Sequence, residues 1–328
     1  MLKNNSLKER IKSVDSSTFE ETAIAVFNHQ YQSNVVYKRY VDSLGRDFSK
    51  VQRLHQIPFM PISFFKHFEI KTGEWEKETV FESSGTTGTV SSKHHIRDEA
   101  YYLEGCMATF EEEYGSISQY QVLALLPSYL ERGNSGLISM VNSFIHEARP
   151  GSGFYLNELD ELYQHLNKAK REGIPTILWG VTFALLDFAE VFQMDFPDLI
   201  VMETGGMKGR RKEMIRADIH HTLHQAFGVS RIHSEYGMTE LFSQAYSKGE
   251  GIYRPSRLMQ VVPRDLNDPF DYPFKGRRGG LNIIDLANYD SCSFIETQDM
   301  GIVYEDDSFE VLGRIDNSEM RGCNLMIS

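Results

Sequence analysis

Cysteine is scarce in this chain, and long apolar runs are missing. Among its 328 residues only three are cysteine, namely Cys106, Cys292 and Cys323. Their odd number and wide spacing exclude a disulfide framework, and no Cys-x-x-Cys or Cys/His cluster predicts zinc. No segment reaches the roughly 18 apolar residues that span a bilayer, and the polar residues 1–12 are unlike a signal peptide. We therefore expect a cytoplasmic protein.

Basic residues are in the minority. The chain has 34 Lys and Arg against 46 Asp and Glu, so its formal net charge is −12. A chain of this charge lacks the broad basic face of a nucleic-acid-binding protein, and anionic membranes repel it. A hydrophobic content of 41% with 24% charged residues is typical of globular proteins. We therefore expect neither a nucleic acid nor a membrane as partner.

Short apolar runs alternate with helical patterns in the middle of the chain. The runs at 121–126, 176–179 and 198–202 predict buried strands. Helical patterns lie around them: one helix passes through Met140 and Phe144, and others cover 159–169, 183–192 and 212–227. Strands that alternate with helices imply a largely parallel sheet covered on both faces. The sequence thus predicts an α/β fold.

The composition divides the chain into three parts that we expect to form one structural unit. Residues 1–78 are predicted to be helices and loops packed on the core, and residues 79–251 the α/β core. Residues 252–328 are rich in Gly, Pro and Asp with short apolar runs, which predicts a smaller, mainly antiparallel β unit. Because little chain follows the last apolar run, Val311-Leu312, no further domain is expected.

A hydroxyl-rich segment directly follows the apolar pair Val80-Phe81. Its members are Ser83, Ser84, Gly85, Thr86, Thr87 and Gly88. Glycine permits turns that expose successive N–H groups, and Ser and Thr add short donors, so such a loop can wrap phosphate oxygens. It is not a Walker loop, which ends in Gly-Lys-Ser/Thr. By itself the segment fits a surface turn equally well.

Two more segments are expected at the carboxyl ends of strands, where parallel α/β sheets bind their ligands. In the first, Gly205 and Gly206 permit close backbone approach, and Lys208, Arg210 and Arg211 follow at a helix start. Cations oppose the helix dipole at that end, and a bound anion would relieve the conflict. The alternative is a basic helix surface.

The second segment covers residues 234–240. Tyr236, followed by Gly237, can present its ring to a planar base. Thr239 supplies a hydroxyl, and Glu240 offers a carboxylate suitable for Mg²⁺ shared with phosphates. The alternative is an acidic loop with one buried tyrosine.

In this order, the segments resemble the adenylate-forming superfamily of acyl- and aryl-CoA ligases, luciferases and peptide-synthetase adenylation domains. Residues 297–299 resemble its TGD segment and residues 313–316 its GRxD hinge, so the resemblance covers roughly residues 80–322. It implies layered, largely parallel sheets with flanking helices and a small C-terminal β unit, like the large N-terminal domain of these enzymes. The small C-terminal domain of the superfamily, with its adenylation lysine, is expected to be absent.

The resemblance implies ATP and Mg²⁺ as cofactors and assigns roles to individual residues. The loop 83–88 would close over the phosphates, and Glu240 would bind magnesium. The other nucleotide contacts would come from Gly205, Gly206 and Tyr236 at the adenine, Thr239 at the α-phosphate, and Asp299 and Arg314 at the ribose, with Gly237 as a further cofactor-binding residue. One departure concerns Lys93, which lies further beyond the loop than the lysine of the superfamily.

Three further segments narrow the resemblance to one family. Residues 126–135 (LPSYLERGNS), 204–211 (TGGMKGRR) and 321–326 (RGCNLM) resemble the acyl-protein synthetases of bacterial luminescence. That family activates fatty acids within a fatty acid reductase complex and moves the acyl group onto a cysteine near the C-terminus. The matching position is Cys323, whereas Cys106 and Cys292 are expected to be packing residues. Without the resemblance, Cys323 would be taken for an incidental terminal cysteine.

The sequence therefore predicts ATP-dependent activation of a carboxylic acid, expected to be a fatty acid, as acyl-AMP. Cys323 would accept the acyl group for delivery to a partner reductase or acyl carrier, with Lys208, Arg210 and Arg211 as catalytic cations. One alternative is a phenylacetate-CoA-ligase-like enzyme that uses CoA or a carrier thiol; another is a non-catalytic nucleotide-binding subunit of a reductase complex. The acid and the oligomeric state are not specified.

Two histidine pairs, at 94–95 and 220–221, suggest a metal site. Adjacent residues on a helix point about 100° apart, so such pairs rarely share a metal. We therefore do not expect these histidines to bind one. A role for His94 or His95 at the mouth of the hydroxyl-rich loop stays open.

Overall fold

The structure is a computed structural model that describes residues 2–48, 50–83, 90–127, 134–205 and 214–315. Contacts within the chain define two compact units. The first unit contains residues 1–74 and 254–328, and the second contains residues 75–253. The predicted division after residues 78 and 251 stays a prediction.

The helices of the described residues are α1 (Leu2–Lys12), α2 (Phe19–Ser33), α3 (Val35–Ser43), α4 (Phe64–His67), α5 (Glu99–Tyr114), α6 (Gly136–Glu147), α7 (Leu159–Glu172), α8 (Thr182–Val191) and α9 (Arg216–Phe227). The strands are β1 (Met60–Pro61), β2 (Thr79–Glu82), β3 (Lys93–Ile96), β4 (Gln121–Leu125), β5 (Gly153–Tyr155), β6 (Thr176–Val181), β7 (Ile200–Thr204), β8 (Ile232–Tyr236), β9 (Ala245–Ser247), β10 (Ile252–Pro255), β11 (Met259–Arg264), β12 (Arg278–Asp285), β13 (Phe294–Val303) and β14 (Phe309–Arg314).

The second unit is built on a largely parallel sheet in the order β5-β4-β6-β7-β8-β9. Neighbouring strands from β5 to β8 pair in parallel, and β9 pairs with β8 antiparallel. Every residue of β4 and β6 is buried, as expected for parallel strands covered on both faces. The predicted α/β class is confirmed. The strand β7 begins two residues later than predicted and extends through Thr204.

Two helices of the second unit end where glycine adopts a left-handed backbone. Helix α7 stops at Gly173 (φ +62°) and α9 at Gly228 (φ +67°), a conformation in which other residues are strained. In α7 the buried residues Leu162, Leu166 and Ala169 follow helical spacing and form one face. The described part of the predicted helix 212–227 begins at Arg216.

Aromatic side chains form the centre of the second unit. The Phe110 ring lies 5.2 Å from Phe144, 6.2 Å from Trp179 and 6.0 Å from Tyr246, measured between ring centroids. Edge-to-face and offset pairs at such distances are favourable beyond the burial of their area. The rings join α5 and α6 to strands β6 and β9, so the sheet that carries the candidate site has a well-packed base.

The first unit combines the N-terminal helices with an antiparallel sheet of β11, β12, β13 and β14, to which β1 adds in parallel at β13. The buried Gln30 of α2 donates through Nε2 to main-chain oxygens of Asn288 and Tyr289 at 3.2 and 3.1 Å. Its Oε1 accepts the Ser293 N–H at 3.0 Å. These bonds attach α2 to the segment that precedes β13, and the predicted antiparallel character of this region is confirmed.

A separate two-stranded sheet in the second unit pairs β2 with β3. Within the described ranges, the helices are all too short or too polar to span a bilayer.

Candidate functional site

The hydroxyl-rich loop starts from a hairpin whose base is closed at Ser83. Strands β2 and β3 are antiparallel, with Glu82 opposite Lys93. The Ser83 N–H donates to the Ser92 carbonyl oxygen at 3.0 Å, and the Ser92 N–H donates to Ser83 Oγ at 2.8 Å. These two bonds fix the base of the loop. The predicted phosphate-binding residues Ser84, Gly85, Thr86, Thr87 and Gly88 lie outside the described residues.

Lys93 stands at the same base and is half exposed. Its ammonium lies 3.8 Å from Glu82 Oε1, on the opposite strand of the hairpin. An exposed pair at this distance contributes little to stability. The position of Lys93 beyond the loop, noted as a departure from the superfamily, therefore corresponds to a surface ion pair across the hairpin.

Gly205 directly follows β7, at the carboxyl end of the parallel sheet. Its φ of +71° lies in the left-handed region, which favours glycine. The residue is exposed, so its backbone is accessible at the end of the strand. Gly206 and the predicted cations Lys208, Arg210 and Arg211 lie outside the described residues.

The neighbouring strand β8 ends in Tyr236, which is buried. The centroid of its ring lies 5.7 Å from that of the Tyr253 ring. Beyond it Gly237 is exposed, Thr239 is half-buried and Glu240 is 6% exposed. The Leu241 N–H donates to the Met238 carbonyl at 3.0 Å and closes a turn around Thr239 and Glu240. Gly237 and the turn that carries the Thr239 hydroxyl and the Glu240 carboxylate thus follow the end of β8, the strand beside β7.

His94 connects the hairpin to this turn. The residue is fully buried in β3, and its Nδ1 donates to the main-chain carbonyl oxygen of Thr239 at 2.8 Å. Since a carbonyl only accepts, Nδ1 carries the proton of this bond. The His94 ring also meets the edge of Phe242 at 5.2 Å. The base of the hydroxyl-rich loop and the turn with Thr239 are therefore in direct contact.

Two carboxyl groups lie buried at the ends of β7 and β8. Glu203 accepts hydrogen bonds from Ser234 Oγ at 2.9 Å, Thr182 Oγ1 at 3.1 Å and His220 Nε2 at 3.3 Å. Burial acts to raise the pKa of Glu203, but the hydrogen bond and charge of His220, together with the Ser234 hydrogen bond and the charge of Arg216, outweigh it and hold the pKa below its ordinary value. Glu203 is therefore a buried carboxylate whose donors join β7, β8, α8 and α9.

Glu235 has a different environment. Burial raises its pKa to about 7, and the hydrogen bond from Thr204 Oγ1 to Oε2 only partly opposes that rise. The backbone of Gly237 packs against its Oε1, since a Cβ added at residue 237 would overlap that atom. The burial of Tyr246 and the nearby Glu235 both raise the pKa of that tyrosine. One of the two buried carboxyls is thus charged, and the other changes its charge near neutral pH.

The predicted ribose-binding residues lie in the first unit. Asp299 is in β13 and Arg314 ends β14, and the two are paired in the antiparallel register. Arg314 Nε lies 3.7 Å from Asp299 Oδ1, with side chains 77% and 13% exposed. Residues 297–299 and 313–316, which resemble the TGD and GRxD segments, are therefore adjacent across two antiparallel strands.

The remaining candidates divide by position. Cys106 and Cys292 are buried, and burial raises the pKa of Cys292 to about 12, as expected for a packing thiol. The expected acyl acceptor Cys323 lies outside the described residues. His94 and His95 lie on a strand rather than a helix, so they point to opposite faces. Among the described residues there is no group of three or more His, Cys, Asp or Glu side chains arranged to hold a metal.

Sequence reasoning missed Glu203, Glu235 and the contact of His94. Glu235 stands in β8, which is not an apolar run and gave no signal, whereas Glu203 directly follows the apolar run 198–202 that the hydrophobic pattern marks as a buried strand. A charged residue in such a strand indicates a buried polar network, because an unpaired buried charge is strongly unfavourable. The His94 contact joins residues 145 positions apart, and nothing in a single sequence reports such a pair.

The fold defines a class of protein. The 2-hydroxyisobutyryl-CoA ligase, solved in an open conformation with 2-HIB-AMP and CoA, superposes with a TM-score of 0.68 at 13% identity, over 92% of this chain and 71% of that chain. ATP-bound MatB from Rhodopseudomonas palustris gives 0.55 at 16% identity, over 74% of this chain and 49% of that chain. The chain has the fold of the large N-terminal domain of adenylate-forming enzymes, and spans about half the length of MatB.

The sequence itself gives the family. The family model described as acyl-protein synthetase, LuxE, matches residues 9–328. The chain therefore belongs to the LuxE family of acyl-protein synthetases. No curated protein matches the chain.

Proposed function

We propose that this protein uses ATP to activate a carboxylic acid, with a fatty acid as the expected substrate, and passes the acyl group to a protein thiol. A carboxylate oxygen attacks the α-phosphorus of ATP. The bond from that phosphorus to the bridging oxygen breaks, which gives acyl-AMP and pyrophosphate. The thiolate of Cys323 then attacks the acyl carbon, a thioester forms, and AMP leaves with the anhydride oxygen.

One observation carries the proposal beyond family membership. The Gly205 turn and the 236–240 segment stand at the carboxyl ends of the adjacent parallel strands β7 and β8. Ligands of parallel α/β sheets bind at these ends. The hairpin that carries the hydroxyl-rich loop reaches the same place through His94 and Thr239. Three segments proposed to hold one nucleotide therefore converge within the second unit.

ATP would meet groups of distinct chemistry in this arrangement. We assign the adenine to Gly205, Gly206, Tyr236 and Gly237, the α-phosphate to the Thr239 hydroxyl, and the ribose to Asp299 and Arg314. The loop 83–88 would cover the phosphates with N–H and hydroxyl donors. Lys208, Arg210 and Arg211 are the cations proposed to balance charge that develops at phosphorus, where positioning and electrostatic stabilisation lower the barrier.

Magnesium fits the residues present. Mg²⁺ prefers oxygen ligands and is typically held by one or two carboxylates together with water and phosphate oxygens. Glu240 supplies one carboxylate, in the turn closed by the Met238–Leu241 bond and next to the Thr239 hydroxyl. When bound, the ion neutralises phosphate charge, while Glu240 and Thr239 orient the phosphates beside it.

The thioester would be the form in which the acyl group leaves the protein. A thioester is a more reactive acyl donor than the carboxylate from which it came, which suits a partner acyl reductase or an acyl carrier protein. The family name supports an acyl acceptor on protein in general. The particular acid, the reductase and a cytoplasmic location are proposals.

Intact-mass analysis tests the complete reaction. The protein is incubated with ATP, Mg²⁺ and a panel of acids of different chain lengths, and acid-dependent ATP–pyrophosphate exchange is measured in parallel. Wild type should gain the mass of one acyl group, and Cys323→Ser should keep exchange but gain no mass. Cys106→Ala and Cys292→Ala serve as matched controls and should still be acylated. Acylation of Cys323→Ser would contradict the acceptor, and absence of exchange in wild type would contradict the activity.

A second function is favoured by one neighbour. The 2-hydroxyisobutyryl-CoA ligase structure holds CoA together with an acyl-AMP, so free CoA or a carrier thiol is an alternative acceptor. If CoA is the acceptor, adding it to the exchange mixture should give acyl-CoA at a rate that Cys323→Ser leaves unchanged. The assay separates the two acceptors because only one of them depends on Cys323.

A further inference from the structure

The strongest unassigned feature is the bond between His94 and the main chain of Thr239. The two residues are 145 positions apart, and the bond from Nδ1 to the carbonyl oxygen is 2.8 Å. His94 is fully buried, so water does not compete for this bond. The acceptor is the carbonyl oxygen of Thr239, the residue directly before Glu240. The side chains of both residues are proposed to face the phosphates and magnesium.

His94, the donor of this bond, is itself held in place by the hairpin of β2 and β3. His94 lies two residues beyond Ser92, whose N–H and carbonyl close the base of the hydroxyl-rich loop on Ser83. In the register of the hairpin His94 is opposite Phe81. A displacement of His94 would therefore move the base of the loop at Ser83 and Ser92, and a fixed His94 fixes that base relative to the turn.

Aromatic packing gives the imidazole one position. The Phe242 ring lies 5.2 Å from His94 and 5.3 Å from Tyr102, and the Phe81 ring lies 5.0 Å from Tyr102. The cluster of His94, Phe81, Tyr102 and Phe242 thus joins β2, β3 and α5 to the residues that follow Glu240. Packing orients the imidazole ring, while the N–H of Nδ1 fixes the position of the Thr239 carbonyl oxygen by its hydrogen bond.

We propose that His94 is a positioning residue, which holds the Thr239–Glu240 turn in register with the base of the hydroxyl-rich loop at Ser83 and Ser92 through its Nδ1–H bond. This inference rests on the proposed function, because the turn and the loop are assigned there to one nucleotide. His94 itself touches the backbone of Thr239 rather than the substrate. Its loss should therefore impair the alignment of α-phosphate and magnesium more than it impairs folding.

Substitutions at His94 separate the hydrogen bond from the ring packing. Phenylalanine keeps a ring against Phe242 but has no donor, while asparagine has its amide nitrogen near the position of Nδ1 but no ring. Glutamine carries its nitrogen near the position of Nε2 and should not replace Nδ1. Since small misplacements of reacting groups cost up to about 100-fold in rate, we expect His94→Phe and His94→Gln to lower kcat of pyrophosphate exchange about 10- to 100-fold.

His94→Asn should recover most of the wild-type kcat. The KM for the acid should stay within about twofold in all variants, while the Mg²⁺ concentration for half-maximal exchange should rise in His94→Phe and His94→Gln. The matched control is His224→Phe. His224 Nδ1 also donates to a carbonyl, that of Val229, at 2.8 Å, yet it lies at the end of α9 away from the turn. Its loss should leave exchange unchanged.

The outcomes distinguish this inference from the proposed function. Active wild type with an unimpaired His94→Phe variant overturns the positioning role alone, and so does a His94→Asn variant that is as impaired as His94→Phe. A wild type without exchange, and without Mg²⁺-dependent binding of ATP by calorimetry, overturns both. Thermal unfolding of each variant is recorded alongside, and a folded but slow His94→Phe is the expected result.

Discussion

Thr204 and Glu235 face each other across the parallel strands β7 and β8, and the threonine hydroxyl donates to the buried carboxyl of the glutamate. Thr204 is the last residue of β7 before the Gly205 turn, and Glu235 directly precedes Tyr236. A side-chain hydrogen bond therefore joins the two proposed adenine segments. Its donor directly precedes Gly205, and its acceptor directly precedes Tyr236. The bond therefore links the protonation state of Glu235 to the backbone at Gly205 and Tyr236.

Glu235 predicts a pH dependence of stability. Its pKa is raised from 4.5 in the unfolded reference to about 7 in the folded protein, so the folded state holds the proton more tightly. Stability from this group is fully present below about pH 4.5 and is lost as pH rises through about 7. Between pH 5 and 8 wild type should lose about 3 kcal/mol relative to Glu235→Gln. Urea unfolding at several pH values measures the difference, and a difference independent of pH would contradict it.

Gly237 predicts a steric coupling with the same carboxyl. A Cβ at residue 237 would overlap Glu235 Oε1, so Gly237→Ala should displace a buried carboxyl and cost roughly 1–3 kcal/mol. The double variant with Glu235→Ala should recover part of this loss, because the overlapping atom is then gone. A double-mutant cycle by denaturant unfolding measures the coupling. Strictly additive losses would show that the two residues do not meet.

Ser83 predicts separable effects on stability and activity. Ser83→Ala leaves the N–H of the buried Ser92 without its hydroxyl acceptor, at a cost of about 1–2 kcal/mol. Ser152→Ala is the matched control, since Ser152 Oγ accepts the Val122 N–H at 2.9 Å in the same unit. Both variants should lose similar stability, but only Ser83→Ala should slow pyrophosphate exchange. Equal exchange in the two variants would argue against a role of the loop base in catalysis.

Asp299 predicts a change in nucleotide affinity without a change in stability. Its partner Arg314 is 77% exposed, and pairs of this kind contribute little to folding. Asp299→Asn should leave the unfolding temperature within about 2 °C and raise the KM for ATP about tenfold, by loss of a charged hydrogen bond to the ribose. Asp42→Asn breaks the exposed Lys38–Asp42 pair of α3 as a control and should leave the KM unchanged.

The sequence predicted the scaffold better than the electrostatics. Apolar runs identify β4, β6 and β7 because buried parallel strands need continuous hydrophobic side chains. The end of β7 locates Gly205, since ligand sites follow from the topology, whereas β8, which ends in Tyr236, has no apolar run that would identify it. The charge state of Glu235 could not be predicted in this way, because it depends on burial and on a donor 31 residues away.

Local pattern also misjudged one element. The pair His94-His95 was considered with helical geometry, whereas it lies on β3. A strand of four residues that pairs with β2 across the hydroxyl-rich loop has too few positions to reveal its period. His94 and Thr239 are brought together by the tertiary packing of the hairpin, which has no local signature in the sequence.

The closed base of the hairpin has a consequence for protein engineering. Because Ser83 and Ser92 already hold the two ends together, the entropy of closing the loop between them depends only weakly on its length. Residues can be inserted between these positions without a change in the pairing of β2 with β3. A fluorophore or cross-linker placed there would therefore test the proposed nucleotide binding from a position between two bonded anchor residues.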